Sequence, residues 1–184
     1  IRARFEDAER VLILMQDDPD PDAIASALAL KVLLGRTRTS APLCTFGTIT
    51  RPENLAMCKI LEIDVAVIDA RVLEQFDRVA MVDVQPTFLE EPIGEVDLVI
   101  DHHPVERPFK SRLKDVRPSY GATSTILVEY LRAADVKFVF DRALNPETKH
   151  PAVKQYEVIG DIIVKDDYTI TFALKSTNAN FLWT

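Results

Sequence analysis

Acidic residues and histidines follow three apolar runs of the sequence, at the points where these runs end. Residues 16–22 (Gln-Asp-Asp-Pro-Asp-Pro-Asp) follow the first run, Asp83 follows another, and Asp101-His102-His103 follows a third. If the runs are parallel strands, their carboxyl ends share one edge of a sheet, and these side chains meet there. Carboxylates that close repel each other unless a cation lies among them. The pattern therefore predicts a divalent-metal site of carboxylate oxygens and imidazole nitrogens.

Two of these segments also have a simpler interpretation. Asp20 could serve only as the N-cap of a helix that has Pro21 at its first position, and Asp83 could be an ordinary turn residue. The adjacent pair His102-His103 has no comparable packing explanation. Capping by Asp20 is compatible with metal binding, so the convergence of all three segments favours the metal site.

A fourth segment, residues 119–125 (Ser-Tyr-Gly-Ala-Thr-Ser-Thr), leads into a helical stretch. Glycine followed by hydroxyl residues at a helix start offers backbone N–H groups and the positive end of the helix dipole to an anion. We therefore expect Gly121, Thr123 and Ser124 to bind a phosphate group. Ordinary capping by Thr123 or Ser124 is the alternative.

The elements that must position these residues alternate between short apolar strands and helices, which is typical of a parallel sheet covered on both faces. The predicted fold is a doubly wound α/β domain with a mostly parallel sheet. Its strands are expected at residues 11–15, 41–46, 65–68, 78–82 and 96–100, with an edge strand at 114–116. Its helices are expected at residues 23–34, 53–61, 71–76 and 123–134, the first of them ended by Gly35.

The remainder of the chain has a different character. Residues 136–140 are predicted to form a strand, and residues 158–164 and 168–174 a hairpin joined through residues 165–167. We therefore divide the chain into an α/β domain at residues 1–134 and a short, irregular or hairpin-like tail at residues 135–184. The register of this tail is uncertain from the sequence, and the tail could be discontinuous.

Charge and composition limit the kinds of molecule that the protein is expected to bind. The chain has 22 basic and 29 acidic residues among 184, a net charge of −7. This balance argues against binding of duplex nucleic acid, whereas a bound metal would still allow a small phosphorylated substrate. No run of about 18 apolar residues suggests a membrane span, and residues 1–10 do not resemble a signal peptide. Cys44 and Cys58 lack zinc-binding or CxxC spacing, so we expect reduced thiols and a cytoplasmic protein.

These motifs together resemble the DHH phosphoesterases, in particular their oligoribonuclease and nucleotide phosphatase branch, over about residues 10–134. The family's first motif, His-x-x-Pro-Asp-x-Asp-Ala, corresponds to residues 16–23. The second corresponds to Asp83 in Met-Val-Asp-Val-Gln-Pro, and the third is the eponymous Asp101-His102-His103. Residues 121–125 resemble the serine- and threonine-rich helix start of the family.

The resemblance implies two manganese ions bridged by Asp83, with magnesium as an alternative. Asp20 would hold one ion, and Asp22 and His102 the other. Gln16 stands where the family has a metal-binding histidine, and its amide oxygen would be a weaker ligand. The metals would activate a water for attack on phosphorus.

Two further residues take their expected roles from the same resemblance. Asp101 would orient the ring of His102 without binding the metal itself. His103 would contact the substrate phosphate and assist the leaving group, so Asp83 and His103 are the expected catalytic residues.

The expected substrate is a short single-stranded oligonucleotide, a dinucleotide or a nucleoside phosphate. The family's later aspartate and its glycine-rich C-terminal substrate subdomain are not recognisable in the sequence. The chain could be discontinuous, part of a longer protein, or a degenerate member that senses a nucleotide or metal without cleaving it. A homodimer is also left open.

Overall fold

The fold is built on a six-stranded sheet in which every pair of neighbouring strands is parallel. The computed structural model describes residues 1–90, 93–131, 133–148, 153–166 and 169–176. In chain order the strands are β1 (Val11–Leu14), β2 (Leu43–Thr45), β3 (Val65–Val67), β4 (Arg78–Val82), β5 (Val96–Asp101) and β6 (Ser111–Val116). The predicted α/β class is therefore confirmed, and the expected edge strand is β6.

The strand order β3-β2-β1-β4-β5-β6 makes the sheet doubly wound. The chain runs outward from β1 to β3, returns to the centre, and runs outward again from β4 to β6. Between β1 and β4 the direction of winding reverses, and in such sheets a crevice opens there, outside the carboxyl ends of the strands. This topology brings the ends of β1, β4 and β5 side by side.

Among the described residues, three helices accompany the six-stranded sheet. They are α1 (Pro21–Leu33), α2 (Pro52–Ile60) and α3 (Thr123–Tyr130). Helix α1 ends as predicted, because Gly35 takes a φ of +65°, a left-handed conformation that glycine adopts without steric cost. Short 3-10 turns lie at Arg2–Arg4, Ala70–Gln75 and Pro86–Phe88. The third of these turns follows β4 and lies next to the candidate site.

The central strands are mostly apolar and buried, as expected for a sheet covered on both faces. All four residues of β1 are inaccessible to solvent, as are the last three of β4. One core cluster joins side chains from several strands and their connections: Leu12, Leu14, Cys44, Met81, Val84, Val96 and Val99. Strand ends anchored in this core give the polar residues that follow them fixed positions.

The chain forms two compact units, Ile1–Val128 and Glu129–Thr184, whereas the sequence analysis placed the boundary after residue 134. The predicted helix at 123–134 ends earlier, at Tyr130, and α4 (Ala133–Leu144) begins a new one. The second unit also contains α5 (Val153–Tyr156), a 3-10 turn at Pro146–Thr148, and the antiparallel strands β7 (Ile159–Asp166) and β8 (Thr169–Leu174). The predicted hairpin is thus confirmed.

The predicted strand at residues 136–140 is wrong, because these residues lie within α4. Their β-branched and aromatic side chains favour a strand locally. In the structure, Phe140 packs against Tyr156 and Phe172, and Ala143 one turn further on is buried. Tertiary packing of a helical face therefore overrides the local preference.

Neither cysteine forms a disulfide. Cys44 is buried within β2, and burial raises the pKa of its thiol to about 11, whereas Cys58 on α2 is half-buried. Within the described parts of the chain, every helix is too short or too polar to cross a membrane.

Candidate metal centre

The three segments singled out in the sequence meet at the carboxyl edge of the sheet. Asp20 and Asp22 lie at the start of α1, just after β1, while Asp83 directly follows β4. Asp101 is the last residue of β5, and His102 and His103 come next. Since β4 lies between β1 and β5, Asp83 occupies the middle of the arrangement. The geometry of the strand ends thus follows the expectation from the sequence.

Asp83 is the central carboxylate of the site and is only 1% exposed. Its Oδ1 lies 3.5 Å from Nε2 of His102 and 3.9 Å from Nδ1 of His103. One ligand atom from each of these three residues lies within 4.8 Å of the others, a spacing that a single metal ion can bridge. Asp83 also takes a φ of +60°, a left-handed conformation that aspartate tolerates better than most residues.

The surroundings of Asp83 disfavour its ionised form. Burial raises the pKa of Asp83 to about 7, and the negative charges of Asp22 and Asp20 add to this, against a hydrogen bond from Thr123. The ion-pair partners that the described structure gives Asp83 are two imidazoles, with no lysine or arginine among them. A divalent cation would supply the missing positive charge, and carboxylates with imidazoles are donors that Mn²⁺ and Mg²⁺ accept. The residues present therefore fit a metal.

Asp22 links the site to the start of α3. Its Oδ2 accepts a 2.7 Å hydrogen bond from the backbone N–H of Thr123, and its Oδ1 accepts one of 2.9 Å from Ser124. Burial raises the pKa of Asp22, but these hydrogen bonds outweigh it, so the pKa is lowered overall. The same carboxylate lies 3.9 Å from Nε2 of His102. Asp22 is therefore ionised and held beside the imidazole.

The start of α3 differs from the expected phosphate pocket. The N–H groups of Thr123 and Ser124 already bind a carboxylate of the chain itself, where the sequence analysis expected a substrate phosphate. The hydroxyl of Thr123 is buried and donates a 2.8 Å hydrogen bond to Asp83. Gly121 has open space where a Cβ would stand, so its backbone approaches nothing closely. The N–H groups at this helix start are therefore hydrogen-bonded to the carboxylate of Asp22.

Asp20 and Gln16 complete the predicted set. Asp20 is the N-cap of α1 and accepts a 2.9 Å hydrogen bond from the N–H of Ala23. It lies outside the group formed by Asp83 and the two imidazoles, yet its charge raises the pKa of Asp83. Gln16 is half-buried, and its backbone carbonyl accepts a hydrogen bond from the buried hydroxyl of Thr45. The loop that carries Gln16 is therefore attached to β2.

The two histidines are oriented by different partners, which corrects the expectation that Asp101 holds His102. Nδ1 of His102 lies 3.1 Å from the carbonyl oxygen of Tyr120 and donates to it. Its Nε2 faces Asp83 and Asp22 and is the ring nitrogen that would bind a metal ion. Asp101 instead accepts a 2.8 Å hydrogen bond from Nδ1 of His103.

His103 is therefore fixed through its Nδ1. Burial lowers the pKa of His103, but the hydrogen bond and charge of Asp101 outweigh it and hold the pKa above its usual value. The ring is 40% exposed. This combination places an accessible imidazole with a raised pKa beside the carboxylate cluster.

Gln85 is a buried residue of the site that the sequence analysis missed. Its amide nitrogen donates to Oδ2 of Asp101 at 2.7 Å and to the carbonyl oxygens of His103 at 3.0 Å and Pro104 at 3.3 Å. Because all three neighbours are acceptors, the NH₂ group must face them. Gln85 therefore holds Asp101, which in turn holds His103. Its place two residues after Asp83 was the only signal available in the sequence.

The fold is thus a doubly wound α/β domain with a candidate metal site of carboxylates and imidazoles at its switch point. Residues 10–152 match the DHH family, N-terminal domain, and the chain belongs to that family. It is also 37% identical over 129 residues to an uncharacterized protein of Methanocaldococcus jannaschii. That alignment covers 69% of this chain and 27% of the relative, so the chain spans about a quarter of the relative's length. Phosphoester hydrolysis is the activity associated with the DHH family.

Proposed function

We propose that this chain is a manganese-dependent phosphoesterase that hydrolyses a short oligonucleotide, a dinucleotide or a nucleoside phosphate. The observation that carries the proposal is the buried Asp83 carboxylate, which faces two imidazoles and two further carboxylates without a lysine or arginine partner in the described structure. A metal ion would favour the ionised form of such a group near neutral pH. The net charge of −7 supports a small or single-stranded substrate rather than duplex nucleic acid.

The residues that would hold two metal ions are Asp20, Asp22, Asp83 and His102, with the amide of Gln16 as a weak ligand. The metals would lower the pKa of a bound water and stabilise charge on the phosphoryl oxygens. Thr123, buried beneath the site, holds the Asp83 carboxylate by a hydrogen bond to its Oδ1. The backbone of α3 does the same for Asp22.

His103 supplies the proton in this proposal. Asp101 anchors its Nδ1 and favours the protonated ring, so Nε2–H is available to a phosphoryl or leaving-group oxygen. Protonation of the leaving oxygen would ease the departure of an alcohol or a nucleoside. The roles of Asp101 and Gln85 are then to keep the ring in position.

Replacement of Asp83 by asparagine tests the proposal directly. Asp83→Asn keeps the side-chain shape and the left-handed backbone preference but removes the charge, so we expect manganese-dependent hydrolysis to fall by at least about 100-fold. Release of phosphate or nucleoside from dinucleotides, nucleoside bisphosphates, cyclic dinucleotides and pyrophosphate would be measured. Asp64→Asn, which changes an exposed carboxylate paired with Arg38, is the matched control. Turnover by Asp83→Asn at the wild-type rate would remove Asp83 from the mechanism.

A second candidate function is a metal or nucleotide sensor that uses the same site without catalysis. Gln16 favours it, because an amide oxygen replaces the histidine that the resemblance leads one to expect and weakens one metal position. Calorimetry with Mn²⁺ separates the two functions. Two binding events with turnover support the enzyme, whereas one weak event without turnover supports the sensor.

A further inference from the structure

Phe88 is an exposed aromatic side chain beside the candidate metal centre. It ends the 3-10 turn Pro86–Phe88, which follows β4 and Asp83, and it is 40% exposed. The other apolar side chains of this connection face inward, since Val84 belongs to the core cluster and Leu89 packs against it. Phe88 therefore contributes little to the core, although Pro86 at the start of the same turn is buried.

The ring of Phe88 lies next to the imidazole of His103. The two ring centroids are 6.3 Å apart, and their planes meet at 84°, an edge-to-face arrangement. The ring of His103 in turn lies 4.3 Å from that of His102. A ligand whose phosphate reaches His103 consequently has Phe88 as a neighbour.

Phe88 and His103 are anchored to the same buried residue. The N–H of Phe88 donates a 2.9 Å hydrogen bond to the carbonyl of Gln85, and the side chain of Gln85 donates to the carbonyl of His103. The backbones of the two residues are therefore held at a fixed spacing before any ligand binds. A preorganised surface of this kind loses little conformational freedom on binding.

We propose that Phe88 is a stacking platform for the nucleobase of a nucleoside phosphate whose phosphate group contacts His103. The proposal rests on the proposed function for the place of the phosphate, and it adds the residue that would contact the base. Every nucleobase offers an aromatic face, so the platform selects for a base without choosing among the four. It also requires no positive charge, which suits an acidic protein.

The test compares two ligands that differ only in the base. Adenosine 5′-monophosphate and ribose 5-phosphate are titrated into the 184-residue chain with Mn²⁺ by calorimetry, and phosphate release is followed in the same samples. We expect the nucleotide to bind roughly 5- to 100-fold more tightly, as one stacked base contributes. Phe88→Leu and Phe88→Ala should remove this difference, whereas Phe88→Tyr should retain it. Ile60→Ala, which trims an apolar residue 68% exposed at the end of α2, should leave it unchanged.

The possible outcomes separate this inference from the proposed function. Equal binding of the two ligands by the wild-type chain overturns the platform, even if hydrolysis is observed. So does a Phe88→Leu variant that keeps the preference for the nucleotide, or one that weakens both ligands equally. Base-dependent binding that is lost in Phe88→Leu, in a chain that hydrolyses nothing, upholds the platform and rejects the phosphoesterase.

Discussion

At the scale of single residues, the buried carboxyl of Asp83 should make the metal-free protein less stable as pH rises. Its folded pKa of about 7 lies above the ordinary value of 3.8, so between these pH values the folded state binds more protons than the unfolded state. We expect the contribution of Asp83 to lower the free energy of unfolding by at most about 1.4 kcal/mol for each pH unit in that window. Urea unfolding in chelator at pH 5, 6, 7 and 8 measures it.

Asp83→Asn provides the control for this pH dependence. The variant should lose the decline between pH 4 and 7, and it should be more stable than the wild-type chain at pH 8 without metal. Addition of Mn²⁺ should stabilise the wild-type chain more than the variant, because ligation favours the ionised carboxylate. A wild-type chain whose stability rises with pH across this window, by the same amount as the variant, would contradict the raised pKa.

Gln85 should contribute both to the stability of the fold and to the position of His103. Gln85→Leu removes the amide that donates to Asp101 and to two backbone carbonyls, and buried acceptors without donors cost about 1–3 kcal/mol. We expect a loss of stability of that size in urea unfolding, together with reduced turnover because His103 is no longer held. Gln75→Leu is the matched control, since Gln75 is exposed and accepts a hydrogen bond from Arg10 through its backbone carbonyl. Equal stability of the two variants would refute a structural role for Gln85.

The chemistry-bearing residues could be foreseen because each follows an apolar strand, and the ends of parallel strands share one edge. Their mutual partners could not. Nothing in the spacing indicates that Tyr120 holds His102 through a backbone carbonyl, or that Asp101 turns to His103. Such pairings depend on distances between loops that fold from distant parts of the chain, which residue type alone does not encode.

At the level of the elements, Gly47, which follows β2, lies against Asp17 in the loop between β1 and α1. A Cβ at this position would stand 2.8 Å from the Cβ of Asp17 and 3.1 Å from its Cα, which is too close. Gly47→Ala should therefore displace the loop that leads to Asp20 and Asp22. We expect a cost of about 1–3 kcal/mol and weaker Mn²⁺ binding in calorimetry. Gly94→Ala, where a Cβ meets nothing within 4 Å, should leave both unchanged.

The strands and helices of the sheet could be predicted because apolar runs and turn residues agree on their limits. The helix α4 could not, since residues 136–140 combine strand-favouring side chains with a helical pattern at Phe140 and Ala143. The ion pair between Lys137 and Asp141, four residues apart, is a helical signal that a short apolar run conceals. Packing within the second unit determines that these residues form a helix rather than a strand.

At the scale of the whole molecule, the residues of the metal centre all belong to the first unit. A chain of residues 1–131 should therefore fold and retain Mn²⁺ binding. A chain of residues 1–118 should not, because it lacks Thr123 and Ser124, which bind the site carboxylates. It also lacks the buried Ile126 and Leu127, whose burial stabilises the fold by about 1.5–3 kcal/mol each. Circular dichroism and calorimetry would compare the two. Loss of metal binding in the longer chain would show that the second unit is required.

The left-handed backbone at Asp83 also limits how natural variation can alter this protein. Few residues other than asparagine and glycine tolerate that conformation, so most substitutions would damage the fold along with the chemistry. A lineage that abandons catalysis while keeping the protein should pass through asparagine or glycine at this position. In a survey of related genomes, asparagine or glycine here would therefore mark descendants that have become binding proteins, and other residues would mark decaying genes.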